Sequence, residues 1–376
     1  MNNPQLSIII PAYNEEENIS TTLESLIGQF DQEGNPLNKN CFQIVVVDNG
    51  SSDKTANIVK NLQKTNAKPE IHLIREPSKG VIAARIAGYN FVIKNQKITS
   101  EFLASGDADI TFHPKWVYEI LKTFKKEGAD VISNAGCFHH DFWVRVPNLA
   151  QRYLEEIGTI FFNPETIDWL NVKGKRFLFT EQIFWDFMRP VTDGCFAIRK
   201  ETYLKAGGYT REFLDGQKTQ EVYGEGWRLV FKLERMDTKI IYLNKAPYSS
   251  SPRRLLEEPK KFLGNQSYEG QMADLRGRDM DLYQRLNELS KKISLEEVKR
   301  YIVEYYILLK CITRPPLIRQ NIHYFGYLAE EIEERIKNFW LEEENREGKE
   351  LFTLSRNLVN DYFERLLETI PRQLVK

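Results

Sequence analysis

Short apolar runs that alternate with helically spaced ones constrain this chain more than any other feature. Leu6 to Ile10 is apolar and β-branched and is stopped by Pro11, the pattern of a buried strand. Behind it, Asn14 can cap a helix with Glu15, Glu16 and Glu17 in its first turn, where acids suit the positive end of the dipole. Ile19, Leu23, Leu26, Ile27 and Phe30 supply that helix with a buried face. Phe42 to Val47 repeats the strand signal. Asp48-Asn49-Gly50-Ser51-Ser52-Asp53 then offers a turn and a cap for a helix whose inner face is Ala56, Val59 and Leu62. Ile71 to Ile74 predicts a third strand and Val81 to Val92 the helix after it. Phe102 to Asp109 predicts a fourth strand, which ends in two carboxylates. Strand and helix in alternation with short connections predict an α/β fold with a doubly wound, mostly parallel sheet.

In such a sheet, ligands bind in the crevice outside the carboxyl ends of the strands. Those ends carry Tyr13, Asp48, Lys79 with Arg85, and the pair Asp107 and Asp109. The set combines an aromatic ring, an acceptor for a base edge, cations that can meet phosphate and two hard oxygen ligands. Asp-x-Asp alone is also what an ordinary acidic turn looks like. At a strand end, with the small Ala108 leaving room, the two carboxylates suit Mg²⁺ or Mn²⁺ bridging to a diphosphate. No Gly-x-Gly-x-x-Gly follows the first strand, which disfavours a nicotinamide cofactor, and no Gly-x-x-x-x-Gly-Lys-Ser/Thr stands there to make a phosphate loop.

At 376 residues the chain has room for one large domain and a smaller one. A formal net charge of -1 gives no global field to recruit nucleic acid. The four cysteines, Cys41, Cys137, Cys195 and Cys311, have neither metal-site nor disulfide spacing. The N-terminus lacks a basic stretch followed by an apolar run, and no window approaches a membrane span, so a cytoplasmic protein is expected, at most peripheral to a membrane. Residues 138 to 192 are rich in rings, among them Trp143, Phe161, Phe162, Trp169, Phe177, Phe179, Phe184, Trp185 and Phe187. They read as an insertion packed mainly on itself, with some rings free to shape an acceptor site. His139 and His140 are adjacent, and on a strand they would point to opposite faces. Beyond residue 255 strand signals vanish. Ser294-Leu295-Glu296-Glu297 is a capping box, Pro315-Pro316 breaks the chain, and Ile318 to Trp340 and Leu351 to Ile370 read as helices. The expected division is residues 1–254 as the α/β domain and 255–376 as a helical appendage, with the latter packed on the former or forming a homodimer interface.

The ordered motifs carry a family resemblance over roughly residues 5 to 245. Ser7-Ile8-Ile9-Ile10-Pro11-Ala12-Tyr13-Asn14-Glu15, Val45 to Thr55, Lys79-Gly80 with Ala84-Arg85, Asp107-Ala108-Asp109, Gly194 to Lys200 with Ala206-Gly207-Gly208-Tyr209, and Glu225-Gly226-Trp227-Arg228-Leu229 together resemble the family 2 glycosyltransferases of the GT-A fold. The resemblance implies transfer of a sugar from a nucleotide-diphosphate sugar to an acceptor hydroxyl. It further implies that Pro11, Tyr13, Glu15 and Asp48 hold base and ribose, Asp107 the ribose or metal, and Asp109 the divalent ion. UDP is expected over GDP as the nucleotide. An acidic pair usually stands where this chain has Glu225-Gly226, so the base is Glu225 first, with Glu221 and Asp193 as alternatives. Inversion by single displacement is the family expectation. The missing second acid also motivates a different class, a catalytically silent nucleotide-sugar binder or scaffold. The acceptor, whether a sugar, a lipid-linked sugar or a small molecule, is not encoded in these motifs.

Overall fold

The computed structural model describes residues 4–66, 68–138, 140–148, 187, 194–213, 225–251, 284, 300, 303–342 and 348–370. The chain forms two compact units, Met1–Gly136 with Pro190–Ser250, and Cys137–Arg189 with Ser251–Lys376.

The first unit is built on β1 (Leu6–Ala12), β2 (Phe42–Asp48), β3 (Glu70–Arg75), β4 (Phe102–Gly106), β5 (Ile110–Thr111), β6 (Val131–Phe138), β7 (Cys195–Arg199) and β8 (Ile240–Ser250). Their order in the sheet is β3-β2-β1-β4-β7-β6-β8-β5. The first four run parallel, as the alternation of strand and helix predicts. β7 then lies antiparallel beside β4, and β6 antiparallel beside β7. This antiparallel continuation has no signature in the sequence, because it pairs segments about 90 residues apart, from Ala104 to Ala197.

The parallel strands are buried on both faces, which is why they read as continuous apolar runs. Alternate residues divide between two cores: Ile8, Ile10, Ile44 and Val46 pack with Leu23 of α1 (Ile19–Ile27) and with Trp116 of α4 (Trp116–Glu127). Ile9, Val45 and Val47 face the other way, against Ile82, Ala84 and Tyr89 of α3 (Val81–Lys94). Helices on both faces make the sheet doubly wound. The α3 contact is close, since a Cβ at Gly88 would lie 2.5 Å from Ile9 Cγ2 and 2.9 Å from a Val47 methyl.

One local expectation changes. α1 begins at Ile19, four residues after Glu15, and Asn14 is no helix cap; it takes a left-handed φ of 54°. The acids of 15–17 instead belong to the strand-end loop, where partners from the next loop outcompete the helix dipole.

In the second unit, Phe138, Phe142 and Trp143 cluster around α5 (His140–Arg145), with centroid distances of 4.9 Å for Phe138–Phe142 and 5.0 Å for Phe142–Trp143. Phe187 packs edge-on to Tyr324 at 5.1 Å, so one ring of the aromatic-rich stretch serves core packing with the C-terminal helices. The other singled-out rings, and His139, lie outside the described residues, as do Ser294 to Glu297. A π-helical segment, Val303–Leu308, leads into helix Leu309–Thr313, and Pro316 opens helix Pro316–Gln320. The single helix expected from Ile318 to Trp340 is interrupted at Gly326, whose φ of 51° favours glycine, before Ala329–Glu342 resumes. Gly348–Thr369 covers most of the last expected helix. No helix of the described residues is long and apolar enough to cross a membrane.

Candidate functional site

The carboxyl ends of β1, β2 and β4 lie on one edge of the first unit. Register fixes this: Ala12 pairs with Asp48, and Ile9 pairs with Ser105, two residues before Asp107. Pro11 is buried in β1, and Tyr13, just past the strand, is 58% exposed, an open ring at the edge of the crevice. Such a ring presents a face on which a base can stack.

The loops at this edge hold one another through side-chain to backbone hydrogen bonds. Asn14 N–H donates to Ser51 Oγ at 3.1 Å, and Ser52 N–H donates back to Asn14 Oδ1 at 2.9 Å. Glu15 N–H donates to Thr55 Oγ1 at 2.8 Å, and Glu16 N–H to Asp53 Oδ2 at 3.0 Å. Glu15 is buried and accepts from Asn18 Nδ2 at 2.9 Å. Asp48 is buried too, with Oδ1 accepting from Ser51 N–H at 2.9 Å.

Asn49 anchors the neighbouring loop, a role its place in the sequence does not announce. Its Nδ2 donates to the Glu76 and Ser78 carbonyls at 2.9 and 2.7 Å, and its Oδ1 accepts from Gly80 N–H at 3.0 Å. The loop carrying Lys79 is thereby tied to the end of β2. Lys79 itself is exposed, and its carbonyl accepts from Arg211 Nη2 at 3.0 Å.

Arg85 behaves differently from Lys79. From sequence, both cations suit either phosphate or a solvated face or helix end; in the fold Arg85 is 2% exposed and turned inward. Its Nη2 donates to Asp107 Oδ1 at 2.8 Å, and its Nη1 is hydrogen-bonded to Ser105 Oγ. A fixed, charge-assisted contact of this kind orients the carboxylate. Asp107 N–H is held as well, donating to the Gly194 carbonyl at 2.9 Å, and its side chain remains 37% exposed. Beneath it, burial and then the Asp107 charge push the Cys195 thiol well above its ordinary range, so that thiol stays neutral. Ala108 is buried, its carbonyl accepting from Thr22 Oγ1 at 2.8 Å, while Asp109 is half-buried.

No group of three or more His, Cys, Asp or Glu side chains gathers as a metal cage among the described residues. Asp109 and the second oxygen of Asp107 are hard donors, and they fit a divalent cation that completes its shell with diphosphate oxygens and water. Asp193 and Glu221 lie outside the described residues. Glu225 opens helix Glu225–Arg235, with its side chain outside them too. Ser51, Thr55, Asn49 and Ser105 are the residues of this edge that motif reading passes over. For Ser51, Thr55 and Asn49 the signal is only the polar turn chemistry of the loop, while Ser105 sits within β4, and their partners are far away in sequence.

The family model for glycosyl transferase family 2 matches residues 7–205, more than half of the chain. The glycosyltransferase AglE of Haloferax volcanii is 32% identical over 129 residues, 34% of this chain and 38% of that protein. The probable glycosyltransferase YdaM of Bacillus subtilis is 28% identical over 235 residues, 61% of this chain and 49% of that protein. The matches thus span half or less of these curated relatives' own length. A solved mannosyltransferase, PcManGT from Pyrobaculum calidifontis in complex with GDP-Man and Mn2+, aligns with a TM-score of 0.46 and 12% identity, covering 98% of this chain and 88% of that one. So distant a likeness says nothing about donor or metal here.

Proposed function

This chain belongs to glycosyl transferase family 2, and from that premise we propose that it transfers a sugar from a nucleotide-diphosphate sugar, UDP-linked, to an acceptor hydroxyl with the help of Mn²⁺ or Mg²⁺. One observation carries the reading: Asp107 and Asp109 follow β4 on the same sheet edge as Tyr13, Glu15 and Asp48, with Asp107 held by buried Arg85.

In this reading Tyr13 offers its ring to the base, Asp48 and Glu15 meet base and ribose, and Pro11 shapes the floor beneath them. Asp107 takes a ribose hydroxyl or shares the cation, and Asp109 holds it. Lys79 lies near the phosphates. Arg85 acts through Asp107, by fixing which oxygen faces outward. A bound divalent cation supplies charge that stabilises a departing diphosphate more than the intact donor. The chain's own part is to orient the donor, and Glu225, or else Glu221 or Asp193, removes the acceptor proton on the far side of the sugar, which gives inversion. A cytoplasmic setting, peripheral membrane contact and a homodimer through the C-terminal helices belong to the same proposal.

Gly226, where the family resemblance implies a second acid, favours a second reading as a nucleotide-sugar binder without turnover. A thermal-shift panel of UDP, GDP, CDP, TDP and ADP, each with and without Mn²⁺, tests the donor site. A ligand at 100 times its dissociation constant stabilises by about 2.7 kcal/mol. The expected result is a Mn²⁺-dependent shift for UDP; no shift with any nucleotide overturns the donor site. Release of UDP from UDP-sugars then separates transferase from silent binder.

A further inference from the structure

β8 brings a tyrosine to the Asp107 end of the sheet, where Gly136 makes room for its ring and Gly194 for the Asp107 carboxylate. A Cβ at Gly136, on β6, would come within 2.5 Å of the Tyr248 hydroxyl oxygen and 2.8 Å of ring carbon Cε1. A Cβ at Gly194, just before β7, would sit 3.0 Å from Asp107 Oδ2 and 3.4 Å from the same hydroxyl. Neither glycine has a positive φ, so the backbone does not ask for glycine at either position. What both supply is space.

The ring alone explains only half of this. An aromatic side chain laid over a cross-strand glycine is ordinary sheet packing, and phenylalanine would serve as well. At Gly194, however, the missing methyl clears the wall shared by the Tyr248 hydroxyl and the Asp107 carboxylate. Tyr248 is half-buried, and the Asp107 side chain beside it is 37% exposed.

Sheet order supplies a direction. Asp48 ends β2 and Asp107 follows β4, while β7, β6 and β8 continue away from β1 to β3. A donor whose nucleoside lies at Asp48 and whose diphosphate lies at Asp107 runs on toward Tyr248. Resting on the donor-site reading above, we propose that the Tyr248 hydroxyl donates a hydrogen bond to the distal phosphate of the donor's diphosphate. That phosphate gains charge as the glycosyl bond breaks, so a fixed O–H aimed at it favours departure of the nucleotide.

Tyr248→Phe keeps the ring over Gly136 and removes only the hydroxyl. The test is calorimetric titration of UMP and UDP, with GMP and GDP as a second pair, each with Mn²⁺, into wild type and variant. A lost hydrogen bond to a charged group should weaken diphosphate binding about tenfold and leave the monophosphate unchanged. Ligand-free melting temperatures of wild type and variant separate loss of a contact from loss of the fold. Unchanged diphosphate affinity in Tyr248→Phe, or equal weakening of mono- and diphosphate, overturns the inference while the donor site stands. Wild type that binds neither diphosphate overturns the donor-site reading and this inference with it.

Discussion

The strand-end edge of the first unit and the C-terminal helices of the second are held together by different physics. At the edge, loops are locked by hydrogen bonds from short polar side chains to backbone atoms roughly 30 to 40 residues away, as between Glu15 and Thr55 or Asn49 and Gly80. Among the helices, buried residues such as Leu308, Ile332, Leu358 and Tyr362 make the core, and the ion pairs lie on the outside, as between Arg335 and Asp361. Apolar packing is non-directional and fixes stability; directional hydrogen bonds fix where a functional group points. The contrast teaches that substitutions in the two regions should separate stability from ligand affinity.

Leu358→Ala should show the largest effect on stability. Leu358 is fully buried, and truncating it costs about 2–5 kcal/mol. Denaturant unfolding should report that loss while the UDP affinity of the remaining folded protein stays at the wild-type value. A parallel loss of affinity would break the distinction between the two regions.

Arg85→Met keeps bulk and removes the charge that holds Asp107. Breaking a buried pair costs about 3 kcal/mol, the lower end of the usual range because Asp107 is partly in water. Here stability and Mn²⁺-dependent UDP affinity should fall together, which calorimetry and chemical unfolding can establish side by side.

Asn49→Ala sharpens the comparison from the loop side. It leaves the Gly80 N–H and two carbonyls without their partner, a cost of about 1–3 kcal/mol. Its signature should be faster amide exchange confined to residues 76–80 and weaker UDP binding, with the helical unit untouched.

Arg335→Ala should do least. The pair with Asp361 is exposed by 36% and 52%, so its removal should change unfolding by less than about 1 kcal/mol, and less still at high salt. A larger loss would mean that surface charge, not packing, holds the helices.

The sequence exposes one side of this comparison far better than the other. Buried parallel strands announce themselves as apolar runs, so β1 to β4 and the position of Asp107 and Asp109 are legible from residues alone. Helix α1 is legible through its period, which sets Ile19, Leu23 and Leu26 on its buried face. Asn14 and Glu15 mislead, because cap and acid chemistry describe a helix start equally well. Ser51 and Thr55, distant in sequence, decide that they form a loop. Arg85 is ambiguous in the same way: a basic residue at this edge suits phosphate or a helix-end interaction equally, and only the placement of Ser105 and Asp107 turns it inward. The break at Gly326 escapes because apolar spacing continues across it. Local propensity is readable from one stretch of chain, whereas directional contacts need both partners.

The central claim is that the Asp107 and Asp109 edge binds a nucleotide diphosphate through a divalent cation. Calorimetric titration of UDP into wild type and Asp109→Ala, each with Mn²⁺ and again with EDTA, tests it most directly. The account predicts that wild type binds UDP well only with Mn²⁺, and that Asp109→Ala loses the metal-dependent part. Equal Mn²⁺-dependent affinity in wild type and variant would contradict it.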